Sequence, residues 1–136
     1  MCLHRIIGKP EKTSGIGYKA FRGSGLGKLW FPYYNPDGTD TFFADIQFIE
    51  LNKKYKSTKK NEDAIHGKKY KTGFHVFVSR KSAEAWGKSH GANVIAKIRY
   101  SKARLTGLQT RQVFEGERGS KCIIADEITL LEIINP

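Results

Sequence analysis

Arginine, lysine and aromatic residues are the side chains of this sequence whose chemistry points to a ligand. Arg99 and Arg104 flank the end of one predicted strand, and Arg111 lies on the next. If these strands pair, Arg99 and Arg111 converge on one face, where a planar guanidinium suits phosphate oxygens. A cross-strand ladder on the open face of a sheet explains the same pattern. The candidate ligand-binding residues are Arg22, Lys28, Trp30, Tyr33, Phe77, Lys97, Arg99, Arg104 and Arg111.

The chain as a whole is strongly basic. Lys and Arg number 24 against 13 Asp and Glu, which gives a formal net charge of +11 over 136 residues. Such a surplus attracts anions such as nucleic acid, nucleotides or an acidic protein surface. Residues 53–71 are rich in lysine, and with Tyr55 and Tyr70 they can track a phosphate backbone. A solvated loop that keeps the protein soluble explains the same lysines.

The glycine-rich segment GSGLGK, residues 23–28, resembles a phosphate-binding loop only in part. A Walker loop needs glycine at position 22, serine or threonine at 29 and then a helix, whereas Arg22, Leu29 and a predicted strand stand there. Two interpretations remain. One is a nest of backbone amides that binds an anion beside Arg22 and Lys28, and the other is a flexible connector.

His75 lies in the middle of an apolar run and is a candidate acid–base group. We favour a half-buried histidine that bridges strand and helix, because no carboxylate is spaced to orient the ring. The cysteines and histidines show no tight ligand spacing, so we expect neither a metal site nor a cofactor. With two distant cysteines, no signal peptide and no apolar run of membrane-spanning length, we expect a cytoplasmic protein without membrane contact.

The elements that must position these residues indicate one α+β domain over residues 1–136. We expect a mostly antiparallel β-sheet with one main α-helix, at about 80–90, that begins at Ser79 and packs on the sheet through Trp86. Residues 28–34 and 41–49 predict a hairpin around the turn Asn-Pro-Asp-Gly, and 52–69 a long solvated loop. Further strands are predicted at 3–7, 18–21, 73–78, 93–100, 105–114 and 121–134, the last bent near residues 126–127.

Part of the sequence resembles small accessory proteins of phages and prophages. The matching residues are Met1–Leu3, Gly73, His75, Phe77, Ala83 and the apolar run at 123–131. Some proteins of that kind counteract host defence, either by sequestering cyclic nucleotide signals or by capping a CRISPR effector. The resemblance implies that setting, with the host cytoplasm as location, and leaves the ligand open.

A second resemblance is to the ADP-ribosyltransferase core. It implies that His4 or Arg22 lies on a first strand, that Phe74 stands where an aromatic residue stacks on NAD, and that Glu115 and Glu117 form a Glu-x-Glu loop. Whether these glutamates form a working catalytic loop is left open by the sequence.

Three functions therefore compete. The first is a non-enzymatic protein that captures a phosphate-bearing ligand such as a cyclic nucleotide. The second is a module that binds nucleic acid or inhibits a host protein through its acidic surface, and the third is a transferase that uses NAD. The aromatic hairpin also suggests a homo-oligomer, if Trp30 and Phe31 are exposed together as one apolar patch.

Overall fold

Antiparallel strands make up most of the described chain. The computed structural model describes residues 5–23, 28–32, 35–36, 41, 47–58, 62–65, 68–71, 73–109 and 120–135. Within these residues a single α-helix accompanies the sheet, which confirms the predicted α+β class. The elements are β1 (Arg5–Gly8), β2 (Gly15–Gly23), β3 (Leu29–Trp30), β4 (Lys54–Lys56), β5 (Glu62–Ile65), β6 (Lys68–Lys71), β7 (Phe74–Phe77), α1 (Arg80–His90), β8 (Val94–Gln109) and β9 (Ser120–Asn135).

The long strands β8 and β9 form the centre of the sheet. They pair with each other from Ile95 and Asn135 to Gln109 and Ser120. The other edge of β8 pairs with β2, the other edge of β9 pairs with β7, and β2 meets β7. These four pairings close a ring, so the sheet curls around an interior. Strands β1, β3 and β4 extend it by pairing with β8, β2 and β9, whereas β5 and β6 pair with each other.

Apolar side chains from every strand of the ring fill this interior. Phe21, Val76, Ile98, Ile128 and Leu130 are at most 1% exposed. Because side chains alternate between the two faces of a strand, these residues point inward and their neighbours point outward. Burial of each such side chain stabilises the fold by about 1.5–3 kcal/mol relative to an exposed one.

Strand β2 is longer than the sequence predicts. The predicted strand covered 18–21, with loop on either side, but Gly15–Gly23 is one strand of 9 residues. A side chain at Gly17 would place its Cβ 2.5 Å from Val76 Cγ1 and 2.8 Å from the Phe77 carbonyl oxygen. Glycine here therefore permits a close approach of β2 to β7 instead of marking a loop, and the loop prediction is wrong at this position.

The predicted helix is confirmed at Arg80–His90. The Ser79 hydroxyl caps its first turn by accepting a hydrogen bond from the Ser82 amide at 3.2 Å. Gly91 ends it in the left-handed conformation, with φ of 70°. Trp86 is 2% exposed and lies between the rings of Phe77 and His90, at centroid distances of 6.0 and 4.3 Å. The helix thus covers one patch of the outer surface of the sheet.

The predicted loop at 52–69 is wrong for β4 and β5 and for the start of β6. In β4, Tyr55 packs against the interior, while Lys54 and Lys56 point outward from the edge strand. The two predicted hairpin segments meet where the Ile49 amide donates a hydrogen bond to the Leu29 carbonyl at 2.8 Å. Much of the rest of the predicted hairpin lies outside the described residues. No helix of the described chain is long and apolar enough to cross a membrane.

The sequence predicts a separate strand at 105–114. In the structure, its residues up to Gln109 continue β8. β9 exchanges its partner β7 for β4 between Ala125 and Glu127, at the position where the sequence predicts a bend. This exchange brings β4, β9, β8 and β2 side by side on the outer surface.

Candidate functional site

Basic side chains gather on that outer surface. Arg99 on β8 lies opposite Ile16 of β2 on one side and Thr129 of β9 on the other, and Thr129 lies opposite Lys54 of β4. Residues that oppose each other in an antiparallel ladder share a face of the sheet. The cations of this surface, here named the basic face, are Lys54, Lys56, Lys97, Arg99 and Lys102.

Glu127 is a buried carboxylate beneath the basic face. Its side chain is 7% exposed, and its two oxygens lie 3.5 Å from Lys54 Nζ and 3.5 Å from Lys102 Nζ. The Ser101 hydroxyl donates a hydrogen bond to it at 3.1 Å. Burial by itself raises the pKa of Glu127, but the Ser101 hydroxyl and the two ammonium groups outweigh burial, so the pKa lies below its ordinary value. The carboxylate is therefore ionised at neutral pH and holds two lysines in place.

The other three cations of the basic face are not committed to carboxylates. Within the described part of the chain, Lys56, Lys97 and Arg99 form no ion pair, although Lys97 lies opposite Glu132. Arg99 and Lys56 are exposed, and Lys97 is half-buried. Three cations on one open face are thus available to an anion from solution.

A second group combines aromatic rings with cations. Arg22 pairs in register with Trp30, and the bridge between Leu29 and Ile49 places Phe48 beside Trp30. The Trp30 and Phe48 rings meet edge to face at 6.2 Å, and Lys28 Nζ lies 4.9 Å from the Phe48 ring centre. Phe48 is 50% exposed. We name this group, Arg22, Lys28, Trp30 and Phe48, the aromatic–cation patch.

The two groups lie at opposite ends of β2. Ile16, beside the basic face, and Arg22, in the aromatic–cation patch, are separated by about 20 Å at the usual rise per strand residue. Helix α1 packs between them, over Ala20 and Ile95. The structure therefore divides the residues predicted as one ligand site into two surfaces.

Two predicted residues have other roles. Phe77 is 2% exposed beneath Trp86, so it is a core residue and cannot stack on a ligand in this conformation. Arg104 donates from Nε to both oxygens of Asp126 at 3.0 Å, and its Nη2 lies 2.8 Å from Oδ1. This bidentate ion pair commits Arg104 to the fold. Tyr33 and Arg111 lie outside the described residues.

Two candidate acid–base or nucleophilic groups, His75 and Cys122, are buried. His75 is 4% exposed, and its carbonyl accepts a hydrogen bond from Lys19 Nζ at 2.8 Å. His75 is therefore more deeply buried than the half-buried position that the sequence predicts. Burial also raises the pKa of Cys122 to about 12, although the nearby Lys19 ammonium lowers it in part. The described His, Cys, Asp and Glu side chains form no group of three or more that can hold a metal ion.

The sequence missed several residues of these surfaces. Lys54 and Lys56 belonged to a predicted loop, although the alternation Lys-Tyr-Lys is the pattern of a half-buried strand. Glu127 was noted only at a predicted bend. Its partner Lys102 has a positive φ of 54°. No pattern in the sequence predicts that backbone conformation.

Comparison of the chain with known protein families, curated proteins and solved structures found no match. The two sequence resemblances therefore stay predictions. Of the residues that the transferase resemblance uses, His4, Glu115 and Glu117 lie outside the described part of the chain. Phe74 is 6% exposed and stacks on Phe31 at 5.5 Å, so it lies inside the core rather than at a NAD site.

Proposed function

We propose that the protein captures a phosphate-bearing ligand on its basic face and breaks no covalent bond. The observation that carries this proposal is the set of three cations, Lys56, Lys97 and Arg99, on one open face without ion-pair partners in the described chain. The net charge of +11 favours the approach of any such ligand.

Each cation has a distinct task in this mechanism. The Arg99 guanidinium presents a planar fork that matches two phosphate oxygens, whereas Lys56 and Lys97 act as point charges beside it. Lys54 and Lys102 are held by Glu127, so less side-chain entropy is lost when they meet the ligand. Glu127 also places a negative charge under the face, which disfavours an anion seated directly over it.

Two ligands fit this proposal and differ in size. A cyclic nucleotide fits the counter-defence setting that the phage resemblance implies, and a nucleic acid fits the extended shape of the face. An acidic host protein surface bears no phosphate and would be an alternative to this proposal. The salt dependence of the affinity distinguishes a nucleic acid from a small ligand, because each neutralised phosphate of a nucleic acid releases counterions.

Fluorescence anisotropy with labelled cyclic dinucleotides and a thymidine oligonucleotide of about 15 nucleotides tests the proposal. The variant Lys56→Ala/Lys97→Ala/Arg99→Ala should bind at least about tenfold more weakly than the wild type, since three charged contacts are removed. A charge-matched variant with alanine at Lys9, Lys81 and Lys121, all exposed away from the face, should bind like the wild type. Equal losses in both variants, or no binding to either ligand, contradicts the proposal.

A further inference from the structure

We infer that the aromatic–cation patch is a stacking site for an unpaired nucleobase, so that the ligand is a single-stranded nucleic acid that contacts both this patch and the basic face. The inference rests on the proposed function, because the basic face supplies the phosphate contacts. It adds the class of ligand and a second contact surface.

The chemistry of the patch favours a base with its phosphate over an apolar partner. The half-exposed Phe48 ring offers an apolar surface, and the Trp30 ring meets it edge to face. Every base has a π-face, so stacking on such rings tolerates any sequence. Lys28 Nζ lies over the Phe48 ring and Arg22 lies opposite Trp30 in the ladder, so both bring positive charge that complements the phosphates on either side of a stacked base.

The position of the patch favours an extended strand. A ligand that contacts both Phe48 and Arg99 must pass over helix α1, so it must cover more than the about 20 Å that separates the two surfaces along β2. Helix α1 lies on this path and presents Lys88 as an exposed cation in its last turn. A duplex keeps its bases stacked inside and offers no free base face to the rings, so it gains nothing from the patch.

The test compares three probes of about 15 nucleotides: a thymidine strand, an abasic strand with the same phosphates, and a duplex. The wild type should bind the thymidine strand about tenfold more tightly than the abasic strand, which corresponds to the stacking of one base. The variant Phe48→Ala should lose this preference and keep the affinity for the abasic strand. Leu51→Ala, which shortens another apolar side chain that is 45% exposed, should keep the preference.

The outcomes separate this inference from the proposed function. Equal binding of thymidine and abasic strands by the wild type overturns the stacking site and leaves the phosphate-binding face intact. The stacking site is also overturned if the duplex binds as tightly as the thymidine strand, or if Phe48→Ala keeps the thymidine preference. Failure of all three probes to bind overturns the inference, and it contradicts the proposed function as well if the cyclic dinucleotides also fail to bind.

Discussion

The replacement Trp86→Ala is expected to cost more stability than any single change at the two candidate surfaces. Trp86 is the largest of the fully buried side chains in the described chain, and it packs against Phe77 and His90. Truncation of a buried tryptophan to alanine leaves a cavity that costs about 3–5 kcal/mol. The entropy of unfolding, about 2.1 cal/mol/K per residue, is about 0.3 kcal/mol/K for 136 residues.

These values predict that Trp86→Ala lowers Tm by about 10–17 °C. Thermal unfolding followed by far-ultraviolet circular dichroism measures the shift. Phe48→Ala is the matched control, because it also removes an aromatic ring but one that is 50% exposed. It should lower Tm by less than about 4 °C. If Tm falls by a similar amount in the two variants, the helix is not anchored through Trp86 and the packing described above is wrong.

Three further results are expected. Because the folded-state pKa of Glu127 lies below its ordinary 4.5, the ionised carboxylate stabilises the fold above that pH and loses this effect as the pH falls through the folded pKa. The Tm difference between wild type and Glu127→Gln should therefore shrink below about pH 4. In a Cys2→Ser chain, the Cys122 thiol, with its pKa near 12, should react with Ellman's reagent only after unfolding. A double-mutant cycle of Arg104→Ala and Asp126→Ala should give a coupling of about 1 kcal/mol, and Arg104→Ala should leave oligonucleotide affinity unchanged.

Each of these three predictions is contradicted by a specific result. A Tm difference for Glu127→Gln that grows towards low pH contradicts the depressed pKa. Rapid reaction of the folded Cys2→Ser chain shows that Cys122 is accessible. If the well-folded Arg104→Ala variant binds the oligonucleotide more weakly than the wild type, Arg104 contributes to ligand binding.

The fold class was predictable because local signals agree with the tertiary structure in the second half of the chain. Ser79 and Trp86 mark a cap and a packing residue of the helix, and both act as predicted. The alternation of Ala96 and Ile98 with Lys97 and Arg99 likewise predicts a strand with one buried face. These patterns depend only on residues close in sequence.

The first half of the chain was harder to predict, because its strands depend on distant partners. Gly17 weakens β2 as an isolated segment, but contact with Val76 requires a residue without a side chain there. Lys54 and Lys56 form a strand because β9 offers them a free edge. Phe31 was expected on an exposed dimer patch, yet it is 3% exposed in the interior. A homo-oligomer and a single domain stay predictions.

The candidate site shows the same limit. Lys97 and Arg99 were predicted as ligand residues on one strand, and they do share an outer face. Their neighbour Lys54 comes from another part of the chain, and only the pairing of β4 with β9 places it there. Arg22 and Arg99 were grouped by residue type, which carries no information on the helix that separates them.

The salt dependence of oligonucleotide binding tests the central claim most directly. The slope of log K against log salt concentration should fall in magnitude by about 2 when Lys56, Lys97 and Arg99 are replaced together by alanine, at about 0.7 per single-strand phosphate contact. The charge-matched variant of Lys9, Lys81 and Lys121 should keep the wild-type slope. An unchanged slope in the first variant would show that the basic face does not contact the phosphates.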